Sequence, residues 1–331
     1  MSNSLYPLKF KPILKERIWG GTKLHDTMGK QFPNPKEKYG ESWEVSGVEG
    51  DVSVVQNGFL AGNTLNELIE VYMGDLVGES LYERFGEEFP LLIKLIDASE
   101  TLSIQVHPDD ETARERHHAY GKTEMWYIID ADRDALIYTG FEKDITREEY
   151  IQAVKEGNLE RYLHKDKAIA GDVFFIPAGR VHAIGKGVLL AEIQQTSDIT
   201  YRIFDWNRVD GSGKSRELHT ELAVDVIDFS RVQNPKTHPV DEVNKTSELS
   251  ACKYFTVNRI TFTSAMQRDY NMLDSFVIYL CVEGECSVVY ESGSSERLTK
   301  GETLLLPADL KNIILRPQGK CSLLEVYVNR A

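Results

Sequence analysis

An all-β chain, built as two related β units with helical excursions, is the architecture this sequence predicts. Three observations predict it. Much of the chain reads as short apolar or alternating runs punctuated by glycine, proline and acidic turns, among them EMWYIIDA, GDVFFIPAG, GVLLAEIQQ and TYRIFDW. From about residue 250 onward the text is strands and turns throughout. GDVFFIPAGRVHAI (171–184) also recurs in spacing as GETLLLPADLKNII (301–314): glycine, acid, four apolar residues, proline, alanine.

Taken in order, residues 1–58 are rich in strand and turn signals, with IWGG and GESWEVSG setting tryptophans beside glycines. Two helices are expected next. NTLNELIEVY has Asn63 or Thr64 as its N-cap, and ESLYERFGEEF follows. SIQVHPDD begins as a strand and breaks at Pro108; Asp109 then caps a short helix or excursion in HPDDETARERHHAY, because carboxylates favour helix N-termini. EMWYIIDA is a strand. DITREEYIQAVKEGNLERYL is a helix, since Thr146 and Glu149 make a capping box ahead of i, i+3, i+4 apolar spacing. After three more strands, ELHTELAVDVIDF is the last expected helix. SRVQNPKTHPVDEVNKTSE has the proline, asparagine and charge content of a linker, which divides the chain into 1–240 and 241–331.

The 331 residues carry a formal net charge of -14. That excludes a general nucleic-acid binder and an anionic-membrane binder, because both need a basic field. An anionic substrate must then be met by a few local cations. No apolar run approaches the ~20 residues of a membrane span, and the N-terminus lacks the apolar core of a signal peptide, so a cytoplasmic protein is expected. Cys252, Cys281, Cys286 and Cys321 lie in β-like sequence without a C-x-x-C pattern. They read as reduced core residues, although CVEGEC could close a hairpin disulfide.

Candidate chemistry begins at SIQVHPDD. Side chains at i and i+2 of a strand share a face, so Ser103, Gln105 and His107 form a polar stripe opposite Ile104 and Val106. Alone, such a stripe is a half-exposed strand. The repeat adds weight: its second copy has Asp309 for Gly179 and Asn312 for His182. A purely structural role would hold both copies alike, so the first copy is expected to carry the chemistry.

The pattern G-x5-P-x-G-x2-H, here Gly171, Pro177, Gly179 and His182, resembles the second motif of the cupin family of small β-barrels. That resemblance implies a double cupin: a metal-binding barrel, then a C-terminal barrel without ligands. Cupins take their other ligands from an earlier hairpin, and SIQVHPDD with GKTEMWY then gives the set Gln105, His107, Glu124 and His182. Two nitrogens and two oxygens suit one borderline divalent cation, zinc first, with manganese, iron or cobalt as alternatives. Singly, Glu124 reads as an exposed strand glutamate and His182 as a core histidine bonded to a carbonyl; jointly the metal site outweighs both. His117, His118, His164, His219 and His238 read as solvated, and Trp19, Trp43 and Trp126 as core.

The order Q-V-H-P, K-T-E, P-A-G-x-x-H is similar to that of the short bacterial phosphomannose isomerases. The similarity runs from ERIWGGTKL through GESWEVSG, FPLLIKLIDASETLSIQVHP and AEIQQTSDITYRIFDW to GKSRELH. It implies a zinc-dependent interconversion of mannose 6-phosphate and fructose 6-phosphate through an enediol(ate), with a small sugar phosphate as the only implied partner. It maps an acid and an arginine onto Asp198 and Arg202 of SDITYR, and an active-site glutamate onto Glu192. Which of Asp198 and Glu192 is the base stays open. The phosphate falls to Ser103, Lys94 and Lys122, and Arg208 stands where longer relatives carry a lysine. Two alternatives share the barrel and metal: a cupin oxygenase and a non-catalytic sugar-binding cupin.

Overall fold

In chain order the strands of the first half are β1 (Ile13–Gly21), β2 (Tyr39–Val45), β3 (Leu91–Ala98), β4 (Ile104–Val106), β5 (Glu124–Ala131), β6 (Leu136–Phe141), β7 (Leu163–Lys167), β8 (Val173–Ile176), β9 (His182–Ile184), β10 (Val188–Gln195), β11 (Tyr201–Phe204) and β12 (Lys236–Thr237). The second half adds β13 (Lys245–Ala251), β14 (Thr256–Phe262), β15 (Met266–Asp269), β16 (Val277–Glu283), β17 (Glu285–Tyr290), β18 (Ser294–Thr299), β19 (Thr303–Leu306), β20 (Asn312–Pro317) and β21 (Cys321–Tyr327). The structure, a computed structural model, describes residues 4–209, 213–291 and 293–329.

These strands form four sheets. The first half gives a seven-stranded sheet, β1-β2-β3-β10-β5-β8-β12, and a five-stranded sheet, β11-β4-β9-β6-β7. The second half gives β13-β14-β21-β16-β19 and β15-β20-β17-β18. The order β2-β3-β10-β5-β8 is repeated by β13-β14-β21-β16-β19, and β4-β9-β6-β7 by β15-β20-β17-β18. The repeat seen in one motif is therefore a repeat of a whole unit. No ladder joins the two sheets of a unit among the described residues, so each unit is an open pair of sheets and not a closed barrel.

Strand alternation explains the layers. On β10, Leu189, Ala191 and Ile193 point away from the partner sheet, whereas Leu190 points towards it, in a core with Trp19, Ile96, Trp126, Phe174 and Ile184. The outward residues join Leu91, Ile93 and Leu95 of β3 in the largest core, shared with Val257, Ile278, Leu280, Leu324 and Val326 of the second unit. The two large sheets thus stand back to back. The remaining face of the five-stranded sheet is covered by Tyr150, Ala153, Ala223 and Ile227.

Helices appear where capping predicts them. Thr64 caps α2 (Leu65–Val77) reciprocally with Glu67, α3 spans Glu79–Phe85, Asp109 caps α4 (Asp110–His117), and Thr146 caps α5 (Arg147–Lys155) with Glu149. A short α1 (Lys23–Asp26) precedes them. Two expected helices are shorter than their sequence pattern. α5 stops before Gly157, whose φ of 67° turns the chain into a single 3-10 turn. ELHTELAVDVIDF yields only α6 (Thr220–Val224), because the segment beyond it stays extended: Asp228 N–H donates to Gly179 O and Val232 N–H to Phe141 O. The expected linker also contributes β12, paired with β8. Cys281, Cys286 and Cys321 are buried free thiols and Cys252 a half-buried one. Among the described residues, no helix is long and apolar enough to cross a membrane.

Candidate active site

The polar stripe of β4 faces the large sheet. Gln105 pairs with His182 across the β4–β9 ladder, His107 lies just past β4, and Glu124 opens β5 on the opposite sheet. His107 Nε2 is 3.6 Å and His182 Nε2 3.5 Å from the Glu124 carboxylate, and all three residues are buried. Gln105 Nε2 lies 3.2 Å from His182 Nε2. A half-turn of its amide presents the carbonyl oxygen there instead.

Each histidine is oriented from behind. His107 Nδ1 donates to Ile199 O at 2.9 Å and His182 Nδ1 to Arg180 O at 2.8 Å, which leaves both Nε2 lone pairs facing Glu124. Burial, with Lys122 adding, holds the His107 imidazole well below its ordinary pKa and pushes that of His182 down to about 4. Both are neutral, as metal ligation requires. Burial and the neighbouring Glu192 raise the Glu124 pKa against the pull of Lys122. His107 Nε2 and both Glu124 oxygens are buried without a hydrogen-bond partner among the described residues. Unpaired buried acceptors are costly, and two imidazoles, a carboxylate and an amide match a borderline divalent cation. The residues fit a metal.

A buried layer of charge surrounds this cluster. Lys122 Nζ is 3.4 Å from Glu124 Oε2. Lys94 Nζ donates to Glu192 Oε1 (2.9 Å) and to Gln194 Oε1 (2.6 Å), while Trp126 Nε1 donates to Glu192 Oε2 (2.9 Å). Burial works against ionisation of Glu192, but Lys94 and Lys122 outweigh it and hold the carboxyl well below its usual range. Ser103 is buried two residues before Gln105. Arg202 of β11 pairs with Gln105 and so shares its face. Asp198 is exposed and lines a cleft of about 1040 Å³ that contains none of the metal-cluster residues. Arg208 is engaged by Asp205 and by Thr101 O.

Three features lay outside the sequence-based expectation. Glu41 and Trp43 are wall residues: Glu41 accepts from Trp43 Nε1 (2.7 Å) and Arg17 Nε (2.9 Å), and Lys94 sits over the Trp43 ring at 5.2 Å. Their i, i+2 spacing in GESWEVSG was the available signal, the same one that exposed Gln105 and His107. Thr139, the ladder neighbour of His182, is buried with Oγ1 unpaired among the described residues. The histidines expected to be merely solvated are partly engaged: His117 Nε2 meets Tyr201 OH at 2.7 Å, His219 Nδ1 accepts from Arg202 N–H, and His164 and His238 pair with carboxylates. Trp126 is core, as expected, but its ring also meets that of His182 edge-on at 5.3 Å.

Two neutral histidines and a carboxylate, buried between facing antiparallel sheets with Lys122 beside the carboxylate, make a candidate metal site in a two-sheet β unit. Residues 7–142 match the family described as phosphomannose isomerase type I, catalytic domain, and residues 244–328 match mannose-6-phosphate isomerase, cupin domain. Similar relatives include the mannose-6-phosphate isomerase ManA of Bacillus subtilis, 39% identical over 95% of this chain and 97% of the relative. The mannose-6-phosphate isomerase of Streptococcus mutans is 36% identical over 92% of this chain and 94% of its own. The crystal structure of a Bacillus subtilis mannose 6-phosphate isomerase superposes with a TM-score of 0.84 at 34% identity, covering 98% of this chain and 100% of that one. The chain belongs to the type I phosphomannose isomerase family. The oxygenase and binding-module alternatives lose their ground with that assignment.

Proposed function

We infer that the chain interconverts mannose 6-phosphate and fructose 6-phosphate in the cytoplasm, using one divalent metal, zinc first, held by Gln105, His107, Glu124 and His182. Each sheet pair is read as a cupin unit, 1–240 carrying the reaction and 241–331 none of the ligands. The observation that carries the reading is the buried, unpartnered acceptor set of His107 and Glu124 in a chain of this family. When bound, the metal supplies Lewis acidity to the sugar oxygens.

The isomerisation moves one proton from C2 to C1 of the open-chain sugar and a second from O2 to O1. Of the two carboxylates offered as proton carrier, Glu192 stands inside the site, whereas Asp198 lies on an exposed turn. Glu192 is ionised at neutral pH because of Lys94 and Lys122, so it is available to accept the proton, at some cost in basicity. Lys94 and Trp126 fix its two oxygens and so set its angle of approach. Arg202, beside Gln105, orients the sugar oxygens, and Ser103 and Lys122 are within the same buried chamber to bind the substrate. An assay coupled to fructose 6-phosphate formation, run before and after chelation with metal content measured on the same sample, tests this. Activity should vanish with the metal and return with zinc; full metal occupancy without turnover would refute it.

A further inference from the structure

A net acidic chain needs a local cation cluster to hold a sugar phosphate, and the strongest one is not made by Lys94 and Lys122. Each of those lysines is already set against a carboxylate, Glu192 and Glu124 respectively. The excess positive charge gathers around Arg202. Arg216, Asp205, Arg208 and Arg17 are the charged side chains that act most strongly on that guanidinium. Among the described residues, four guanidinium groups therefore meet two carboxylates, Asp205 and the Glu41 that binds Arg17.

Asp205 organises this rim. Only 5% exposed, it accepts from Arg216 Nε at 2.7 Å and Nη2 at 2.5 Å, and also from Arg208 Nη2. Arg208 Nη1 donates to Thr101 O and Trp206 Nε1 to Leu102 O, both at 2.7 Å, so this segment is pinned to the residues that lead into Ser103 and Gln105. The isolated bridge Val209–Ser215 returns the chain so that Arg216 reaches Asp205. The Nε atoms of Arg202 and Arg208 are buried without a hydrogen-bond partner among the described residues. Bare buried guanidinium donors beside surplus positive charge are what an oxyanion would satisfy.

We propose that Arg216, positioned by Asp205, is a specificity-determining residue that joins Arg208 in receiving the phosphate of the substrate, next to the Arg202 that orients the sugar oxygens. The proposal rests on the isomerase reading for the identity of the sugar; the anion site itself needs only the arginines.

The test uses metal-loaded enzyme and inorganic phosphate as the probe, with Arg216→Ala, Arg216→Lys and Asp205→Asn beside the parent. Arg216→Ala should raise both KM for mannose 6-phosphate and the inhibition constant of inorganic phosphate roughly tenfold, as expected for one lost hydrogen bond to a charged group. kcat should stay within about twofold and metal content should not change. Arg216→Lys, which keeps the charge but not the fork, should fall between, and Asp205→Asn should follow Arg216→Ala in direction. Unchanged phosphate inhibition, or a fall in kcat and metal content at constant KM, would overturn the proposal and leave Arg216 a structural clamp. A parent without turnover would sink the isomerase reading instead, while calorimetric binding of inorganic phosphate to parent and Arg216→Ala would still decide the anion site.

Discussion

The two units present the same ladder positions to their inner space and fill them with opposite chemistry. In the first, Trp126 pairs with Glu192, which pairs with Lys94; in the second, Tyr279 pairs with Glu325, which pairs with Asn258. The carboxylate is present in both, and Asn258 Nδ2 donates to Glu325 at 2.8 Å much as Lys94 does to Glu192. Around it the units diverge. The pair Gln105–His182 becomes Arg268–Ile313, Glu124 becomes Val277, and His107 becomes Tyr270. Arg268 Nη2 donates to Glu325 at 2.6 Å, as does Tyr270 OH at 2.5 Å, and Tyr270 also meets Tyr279. A fixed guanidinium thus supplies in the second unit the positive charge that a metal would supply in the first. Its carboxylate is hydrogen-bonded, whereas Glu124 has Lys122 at 3.4 Å and no hydrogen-bond partner among the described residues.

The largest test of this contrast is His182→Ala. Removing it should abolish metal binding and lower turnover by about three orders of magnitude, the value of one charge near 4 Å at roughly 4 kcal/mol. Metal analysis with single-point assays would check it, and undiminished zinc and turnover would remove His182 from the site. In the second unit, Arg268→Ala strips a buried carboxylate of its cation, and should cost about 3–5 kcal/mol in denaturant unfolding with metal content untouched. A loss of metal there would show that the units are not separable.

A subtler contrast lies three positions along the same ladder. Leu189 pairs with Asp97 in the first unit where Ser322 pairs with Thr261 in the second. Thr261 and Ser322 share a hydrogen bond, but burial pushes the Asp97 carboxyl up to about 6 from 3.8, despite the Lys23 and Leu24 N–H groups. A carboxyl that binds its proton more tightly when folded stabilises fully below about pH 4 and loses that contribution as pH rises through 6. The shift corresponds to up to about 3 kcal/mol. Unfolding of Asp97→Asn and parent at pH 4 and pH 7 should therefore move in favour of the variant at the higher pH, whereas a constant difference would refute the assignment. The smallest effect belongs to Asn312→Ala. It should leave metal and activity alone and change stability by less than about 0.5 kcal/mol, because Asn312 is exposed.

That last position shows where sequence reading stopped. Motif alignment sets Asn312 against His182, yet the inward residue is Ile313, buried in the second core opposite Arg268. A slip of one residue turns a strand over, and the run of two isoleucines after Asn312 gave no hint of it, since either register hides one of them. By contrast the meeting of Gln105, His107, Glu124 and His182 was legible: alternation puts Gln105 and His107 on one face, and the cupin resemblance pointed to Glu124 and His182. The capped helices were legible for the same local reason. Asp205 and Arg216 were not, as they meet only through the return of a loop. Asp198 and Arg202, four residues apart in one motif, part company at the turn before β11, which local pattern does not resolve.

The back-to-back large sheets carry a consequence for portability. Leu91, Ile93, Leu95, Leu189 and Ile193 stand directly behind Lys94 and Glu192 on the same strands, and the second unit covers them. The second unit therefore backs the strands that carry Lys94 and Glu192, although the His107, Glu124 and His182 cluster lies in the first unit. Cutting the chain between the units would convert an internal seam into an adhesive face and loosen the strands that aim the lysine and the carboxylate. The first unit is not a module that can be lifted out, because its large sheet and that of the second unit bury each other.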